Sequence, residues 1–250
     1  MLKLQNISKK FGFGSADEKV IFENLNLYIK KGEFVIIVGG NGAGKSTLMN
    51  LISGSILPDL GKIFIDGKDV TNLPEHKRAK FIGRVFQDPL KGSCPNLTVE
   101  ENLSLAMLRN KKRTLHFGIN KINRENLKHE LEKLNLGLEN RLDAKMGTLS
   151  GGQRQAITLL MATLVKPKVL LLDEHTAALD PKSSEKVLNL TQKIISEGSI
   201  TTLMITHNLN HAMKLGGRLI VLDSGKIKHD VSGNDKEFLL KNSASDIFKE

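Results

Sequence analysis

The string Gly39-Gly-Asn-Gly-Ala-Gly-Lys-Ser-Thr47 sets a lysine and two hydroxyls at the end of a run of glycines. From Gly39 to Ser46 it fits the phosphate-loop pattern G-x-x-x-x-G-K-[ST]. Glycines let a backbone wrap phosphates and aim its N–H groups inward, and a following helix N-terminus favours an anion. In such a loop Lys45 reaches the β- and γ-phosphates, and the Ser46 hydroxyl ligates Mg²⁺. Without a strand before it and a helix after it, the same string is only a glycine-rich turn.

Two further strings matter in combination with the first. Val169-Leu-Leu-Leu172 is a short apolar run that ends in Asp173-Glu174. A carboxylate at the C-terminal end of a buried strand, beside a phosphate loop, is suited to a Mg²⁺-linked role, and a second one beside it can polarise water as a general base. Taken alone, the pair is an ordinary solvated strand end. Leu149-Ser-Gly-Gly-Gln153 lies 105 residues past Gly44 (149 − 44). By itself Ser150 is a helix N-cap with no ligand.

The elements around these strings give the required setting. Glu33-Phe-Val-Ile-Ile-Val38 reads as a buried strand and Ser46–Ser53 as a helix, so the loop lies between strand and helix. Leu2–Ile7 and Leu25–Ile29 alternate apolar and polar, as half-buried antiparallel strands do, and Lys62–Asp66 extends that sheet. Helical character dominates from about Asp88 to Pro167. Thr98 caps a helix with Glu101 three residues on, and Arg124–Leu136 and Gly152–Val165 follow. Strand and helix then alternate through Val169–Asp173, Lys182–Ser196, Thr202–Thr206, Leu209–Leu215 and Arg218–Asp223, which implies a mostly parallel sheet. A short helix is expected from Asn234.

With these strings in this order, the chain resembles the ATP-binding subunit of an ABC transporter over nearly its whole length. The resemblance rests on the phosphate loop, Leu149-Ser-Gly-Gly-Gln153, Leu170-Leu-Leu-Asp-Glu174, Ala178-Leu-Asp180 and Thr206-His207, with Gln87 after Gly83-Arg-Val-Phe86. It implies an α/β P-loop NTPase core with a mostly parallel sheet, an N-terminal antiparallel β subdomain and an inserted α-helical subdomain. Residues 1–87 and 168–250 would form the core and 88–167 the insertion. Gly39 and Asn41, Gly42, Ala43, Gly44, Lys45, Ser46 and Thr47 would hold ATP. Ser150, Gly151, Gly152 and Gln153 of a second, head-to-tail copy would close over the γ-phosphate, and Asp180 would reach across that ATP-bound homodimer. Ser46, Gln87 and Asp173 would serve Mg²⁺, Glu174 would be the general base, and His207 would keep base and water aligned. Phe11 would stack on adenine. Phe13 is its rival, because the Gly12/Gly14 loop blurs the register, and core packing is the competing role for either.

One position departs from the family pattern: His175 follows Glu174 where most members have proline. Asp173-Glu-His-Thr-Ala-Ala-Leu-Asp180, with Gln153-Arg-Gln-Ala-Ile-Thr-Leu-Leu-Met-Ala-Thr163, is similar to one branch of importer ATPases. That branch works with a membrane permease and an extracytoplasmic substrate-binding protein, and some members are linked to tryptophan or tyrosine uptake. The alternative is a soluble ABC ATPase acting on nucleic acid, ribosomes or cluster assembly. The 105-residue spacing is far too short for a long coiled-coil insertion, and the chain holds one cassette where translation-type members hold two.

Composition agrees with the importer reading. The chain has 250 residues, 40% apolar but only 4% aromatic, so aliphatic packing must dominate. Its single cysteine, Cys94, excludes an intrachain disulfide. Apolar runs fall well short of the roughly 18–20 residues that span a bilayer, and the first residues lack a signal-peptide core. The expected location is therefore cytoplasmic, on the inner face of the membrane through the permease. Of 37 basic residues 29 are lysine, and the net charge is +10. The lysines are scattered apart from Lys111-Lys112-Arg113, and stacking aromatics are few, so a solvated surface is expected rather than a nucleic-acid partner.

Overall fold

The computed structural model describes residues 1–12, 14, 17–109 and 121–242. Phe13 and the Lys111–Arg113 run lie outside these. In chain order the elements are β1 (Leu2–Phe11), β2 (Lys19–Ile29), β3 (Phe34–Val38), α1 (Lys45–Ser53), β4 (Leu60–Ile65), β5 (Lys68–Asp69), α2 (Glu75–Arg78), β6 (Ile82–Val85), α3 (Val99–Met107) and α4 (Lys121–Glu132). A 3-10 turn at Met146–Thr148 leads to α5 (Gly151–Thr163), β7 (Val169–Asp173), α6 (Pro181–Gly198), β8 (Thr201–Ile205), α7 (Leu209–Lys214), β9 (Arg218–Asp223), β10 (Lys226–Ser232) and α8 (Gly233–Asn242). No helix among the described residues is long and apolar enough to cross a membrane.

The chain divides into two compact units. The first takes Met1–Ile82, Lys168–Glu174 and the chain from Ser199, and the second takes Gly83–Pro167 and His175–Gly198. The expected 88–167 insertion therefore gains residues 83–87 and 175–198. The reason is packing: α6 lies against α5, and a helix read from sequence does not show what it covers.

In the first unit, β3, β7, β8 and β9 are parallel, and the order runs β10-β9-β3-β8-β7 with β10 antiparallel at the edge. Of the strands that flank β3, β8 is buried at every residue and β9 from Leu219 to Leu222, as expected where both faces of a sheet are covered. Ile37, Leu171, Leu203 and Ile220 share a core with Leu48 and Ile52 of α1. A second, antiparallel sheet has the order β2-β1-β4-β5. Its strands run past the expected Leu2–Ile7 and Leu25–Ile29, because irregularities at Asn6 (φ 49°) and Asn24 (φ 55°) shift the register and break the alternation that marks a strand. Asn26 bridges both points: its Oδ1 accepts from Asn6 N at 3.0 Å, and its Nδ2 donates to Asn24 O at 2.9 Å.

Arg78 shows what holds the end of the phosphate-loop helix. Its side chain is 0% exposed, and its guanidinium donates to the carbonyls of Leu51 (2.6 Å), Ile52 (3.0 Å), Thr71 (2.7 Å) and Leu73 (2.8 Å). Two of these are the otherwise orphaned last carbonyls of α1. Burial lowers its pKa to about 10, so it stays charged at neutral pH. Arg78→Met keeps the stem and strands four carbonyls. A destabilisation of about 2–4 kcal/mol is expected, read as a lower urea midpoint at unchanged m-value. A midpoint equal to wild type would show that water replaces the guanidinium.

The second unit has its own core, in which Val99 and Leu103 of α3, Leu127 and Leu131 of α4, and Ile157 and Leu160 of α5 meet. The capping box read at Thr98 and Glu101 is formed: Glu101 N donates to Thr98 Oγ1 at 3.1 Å, and Glu101 Oε2 accepts from Thr98 N at 2.6 Å.

Candidate functional site

The phosphate loop lies between β3 and α1, and its glycines adopt conformations that other residues strain to reach. Gly39, Gly42 and Gly44 have φ of 151°, 78° and 101°. A Cβ on Gly39 would lie 2.1 Å from Leu222 O, and one on Gly44 would lie 2.8 Å from the Phe22 ring. The pattern's glycines are thus required by close packing as well as by φ. Gly44 stands at the N-cap of α1 and offers no side-chain cap. The first amides of α1 are left for an anion, with the helix dipole behind them.

Lys45 begins α1 and is 7% exposed. Its Nζ donates to Gly39 O at 2.7 Å and Gly40 O at 2.9 Å, so the loop's own carbonyls hold the ammonium over the loop. Burial pushes its pKa down, and the nearby charges of Glu174 and Asp173 push it back up.

Sheet register brings the second chemical group to the same place. β7 and β8 are paired in parallel with Asp173 opposite Ile205, so both strands end together. Glu174 follows β7 with φ 45°, and its N–H donates to Ile205 O at 3.2 Å. His207 follows β8, and its Nε2 lies 2.8 Å from Glu174 Oε1. Thr206 Oγ1 accepts from Asn208 N at 3.0 Å, and Asn208 Oδ1 then caps α7 through His211 N at 3.2 Å. The turn that carries His207 is therefore pinned on both sides.

One cleft of about 210 Å³ in the first unit is lined by Asn41, Gly42, Ala43, Gly44, Lys45, Ser46, Thr47, Glu174 and His207. Lys19 and Ile21 of β2 line it too. No motif or periodicity marks them, because they follow the loop at which the strand pattern is interrupted. Phe11 ends β1 opposite Lys19 and is 42% exposed, so it is not a core residue, and Lys9 Nζ sits 5.4 Å from its ring centroid. Phe13 lies outside the described residues.

The second unit holds the other expected residues. Gln87 is exposed just past β6. The loop beyond it is shaped by Leu90 N donating to Asp88 Oδ1 (2.9 Å) and Ser93 Oγ donating to Pro89 O (2.9 Å). Ser150 caps α5: Gln153 N donates to Ser150 Oγ at 3.3 Å, and Gln153 Oε1 accepts from Ser150 N at 3.2 Å. The amides of Gly151 and Gly152, in the first turn, have no intrahelical partners by helix geometry. A Cβ on Gly152 would lie 2.8 Å from Ser183 Cβ, so α6 lies too close for a side chain there. Arg154 Nη2 donates to Gly147 O (3.1 Å) and Leu149 O (2.9 Å), which fixes the approach to this helix start.

Asp180 is exposed and caps α6, accepting from Ser183 N at 3.1 Å; hydrogen bonds from Ser183 hold its carboxyl below the usual range. His175 is 1% exposed and faces Thr191, with Nε2 at 3.1 Å from Oγ1. Thr191 Oγ1 already donates to Val187 O at 2.7 Å, so His175 Nε2 carries the hydrogen. The unusual residue after Glu174 thus packs within the helical unit.

The donors in the cleft suit a polyphosphate. Among the described residues no group of three or more His, Cys, Asp or Glu side chains could hold a metal ion. A hydroxyl at Ser46 and a carboxylate at Asp173 are too few for a protein-only cage. They fit Mg²⁺, which is usually held by one or two protein oxygens, phosphates and water.

Comparison with known proteins agrees with this chemistry. The family profile described as ABC transporter matches residues 22–177. The chain is 52% identical over 243 residues to the tyrosine transport ATP-binding protein of Clostridioides difficile, covering 96% of this chain and 95% of that protein. It is 36% identical to the glutamine transport ATP-binding protein GlnQ of Escherichia coli, covering 100% of this chain and 98% of that one. Among solved structures it is similar to the dimeric, post-hydrolysis ATP-binding cassette MJ0796 bound to ADP and Pi. The TM-score is 0.79 at 32% identity, covering 93% of this chain and 98% of that one.

Proposed function

The chain belongs to the ABC transporter family of ATP-binding subunits, and on that premise we propose that it binds and hydrolyses ATP between two copies of itself to drive import through a membrane permease. Tyrosine or a related aromatic amino acid is the proposed cargo. The convergence of Lys45, Ser46, Glu174 and His207 in one cleft carries the ATPase reading. The importer and its cargo rest on the 52% identical tyrosine transport relative. A substrate-binding protein outside the membrane completes the proposed system.

The steps follow from the residues. Loop amides and the first turn of α1 bind the phosphates, and Lys45 leaves the Gly39 and Gly40 carbonyls for the β- and γ-phosphates. Mg²⁺ bound with ATP would offset phosphate charge; Ser46 would ligate it, Asp173 would hold it through water, and Gln87 would be a further polar contact. Phe11 stacks on the adenine. Ser150, Gly151, Gly152 and Gln153 of the second copy cover the γ-phosphate through helix-start amides, and Asp180 contacts the facing subunit. Glu174 accepts a proton from the attacking water. His207, 2.8 Å from it, fixes the orientation of the carboxylate. The permease holds the subunit on the inner face of the membrane.

Cells that lack this subunit should lose uptake of labelled tyrosine or tryptophan, and plasmid-borne wild type should restore it where the Glu174→Gln form does not. Unchanged uptake of both amino acids would overturn the cargo while leaving the ATPase reading intact.

A further inference from the structure

We propose that Gln155 is a positioning residue that couples the helix start at Ser150–Gln153 to Gln87, and so makes the two ATP sites of a dimer cooperative. This rests on the reading above, in which ATP is bound between two copies. In that arrangement Gln87 serves the nucleotide on its own subunit's phosphate loop, while Ser150–Gln153 serves the nucleotide on the partner's loop. A rigid link between these segments within one subunit therefore joins the two sites.

Gln155 is such a link. It lies in α5 five residues after the Ser150 cap, is 0% exposed, and its Nε2 donates to Phe86 O at 3.1 Å. Phe86 directly precedes Gln87. The contact continues along the helix: a Cβ on Gly92 would sit 3.6 Å from Thr158 Cγ2 and 3.7 Å from Phe86 Cδ2. Gln155 and Thr158 are one turn apart, so the Phe86–Gly92 segment rides on the same helix face. A shift of α5 caused by a phosphate at its N-terminus is carried to the backbone of Phe86 by one hydrogen bond.

Stability does not account for a glutamine at this point. Its Oε1 has no hydrogen-bond partner among the described residues. A buried amide satisfied on one side only is costly, and an apolar side chain of the same length would fill the space without that cost. A local choice that works against stability is expected where function requires it.

The test uses the full chain in four forms: wild type, Gln155→Met, Gln155→Glu and Thr163→Val. Methionine keeps length and bulk and removes the donor. Glutamic acid donates to Phe86 O when protonated and repels it when ionised. Thr163→Val removes a hydroxyl from the far end of α5, where Oγ1 donates to Leu159 O, and controls for general loosening of the helix. ATP affinity is measured on dilute subunit, turnover against ATP concentration on concentrated subunit, and melting on all forms. Wild type and Thr163→Val should show a Hill coefficient approaching the two sites of a dimer. In Gln155→Met it should fall toward one, with turnover lowered by about tenfold and affinity within about twofold. In Gln155→Glu, cooperativity relative to wild type should return as pH falls, because burial raises a carboxyl pKa and favours the protonated donor. A Gln155→Met protein as cooperative as wild type would overturn the link. So would a Gln155→Glu protein with no pH-dependent recovery, or a loss of cooperativity shared by Thr163→Val. If wild type itself shows no ATP turnover, the reading of the site fails instead.

Discussion

Replacement of Glu174 by glutamine is expected to lower ATP turnover by about 10²–10⁴-fold, the usual contribution of a positioned base. Glutamine has the same shape, and its amide can still hydrogen-bond to the His207 ring, whose Nε2 is 2.8 Å from the Glu174 carboxylate. The Glu174 backbone, tied to Ile205 O, is untouched. What is lost is the ability to take a proton from water. Because no phosphate ligand is removed, the change should appear in kcat with affinity nearly intact.

A second outcome follows from the first. ATP that binds but is not cleaved stays between the two copies and holds them together. Gel filtration with light scattering should show Glu174→Gln dimeric with ATP and monomeric without it, while wild type returns to monomer as ATP is consumed. A variant that turns over near the wild-type rate would remove Glu174 from the chemistry, whatever its oligomeric state. The ratio to wild type is the decisive quantity, since a subunit without its permease has no partner to speed release.

The phosphate loop was legible because everything that defines it is local. Strand, glycines, lysine and helix fall within Phe34–Ser53, and the required glycine conformations follow from residue type. The Glu174–His207 pair was not legible in that way. It spans 33 positions (207 − 174) and depends on β7 and β8 ending in register, with Asp173 opposite Ile205. No periodicity encodes that register, and only the likeness to a known family pointed to it. Lys19 and Ile21 were missed because an interrupted strand pattern hides where β2 begins. Gln155 was missed because a glutamine inside an amphipathic helix reads as solvent-facing, whereas this one is fully buried. The compact helical unit takes in α6 as well, and a helix read from sequence does not show which helix it meets.

Lys45→Ala should act on the opposite side of the same cycle, removing nucleotide binding rather than hydrolysis. The ammonium is held in place before ATP arrives, 2.7 Å from Gly39 O and 2.9 Å from Gly40 O. Burial lowers its pKa against the raising charges of Glu174 and Asp173, and a polyanion offers full negative charge where the carbonyls offer only dipoles. Charge-assisted bonds are worth about 1.5–3 kcal/mol each, so losing one or two to phosphate should weaken ATP binding by roughly 10–10⁴-fold. Alanine is the better helix former at the first position of α1, so melting temperature should hold and separate lost binding from lost fold. Calorimetric titration with ATP gives the constant. The stronger test places Lys45→Ala in the Glu174→Gln background. If trapped nucleotide is what joins the two copies, the double variant stays monomeric with ATP. A double variant that still dimerises would show that the interface forms without the phosphates, and the site would then no longer explain the dimer.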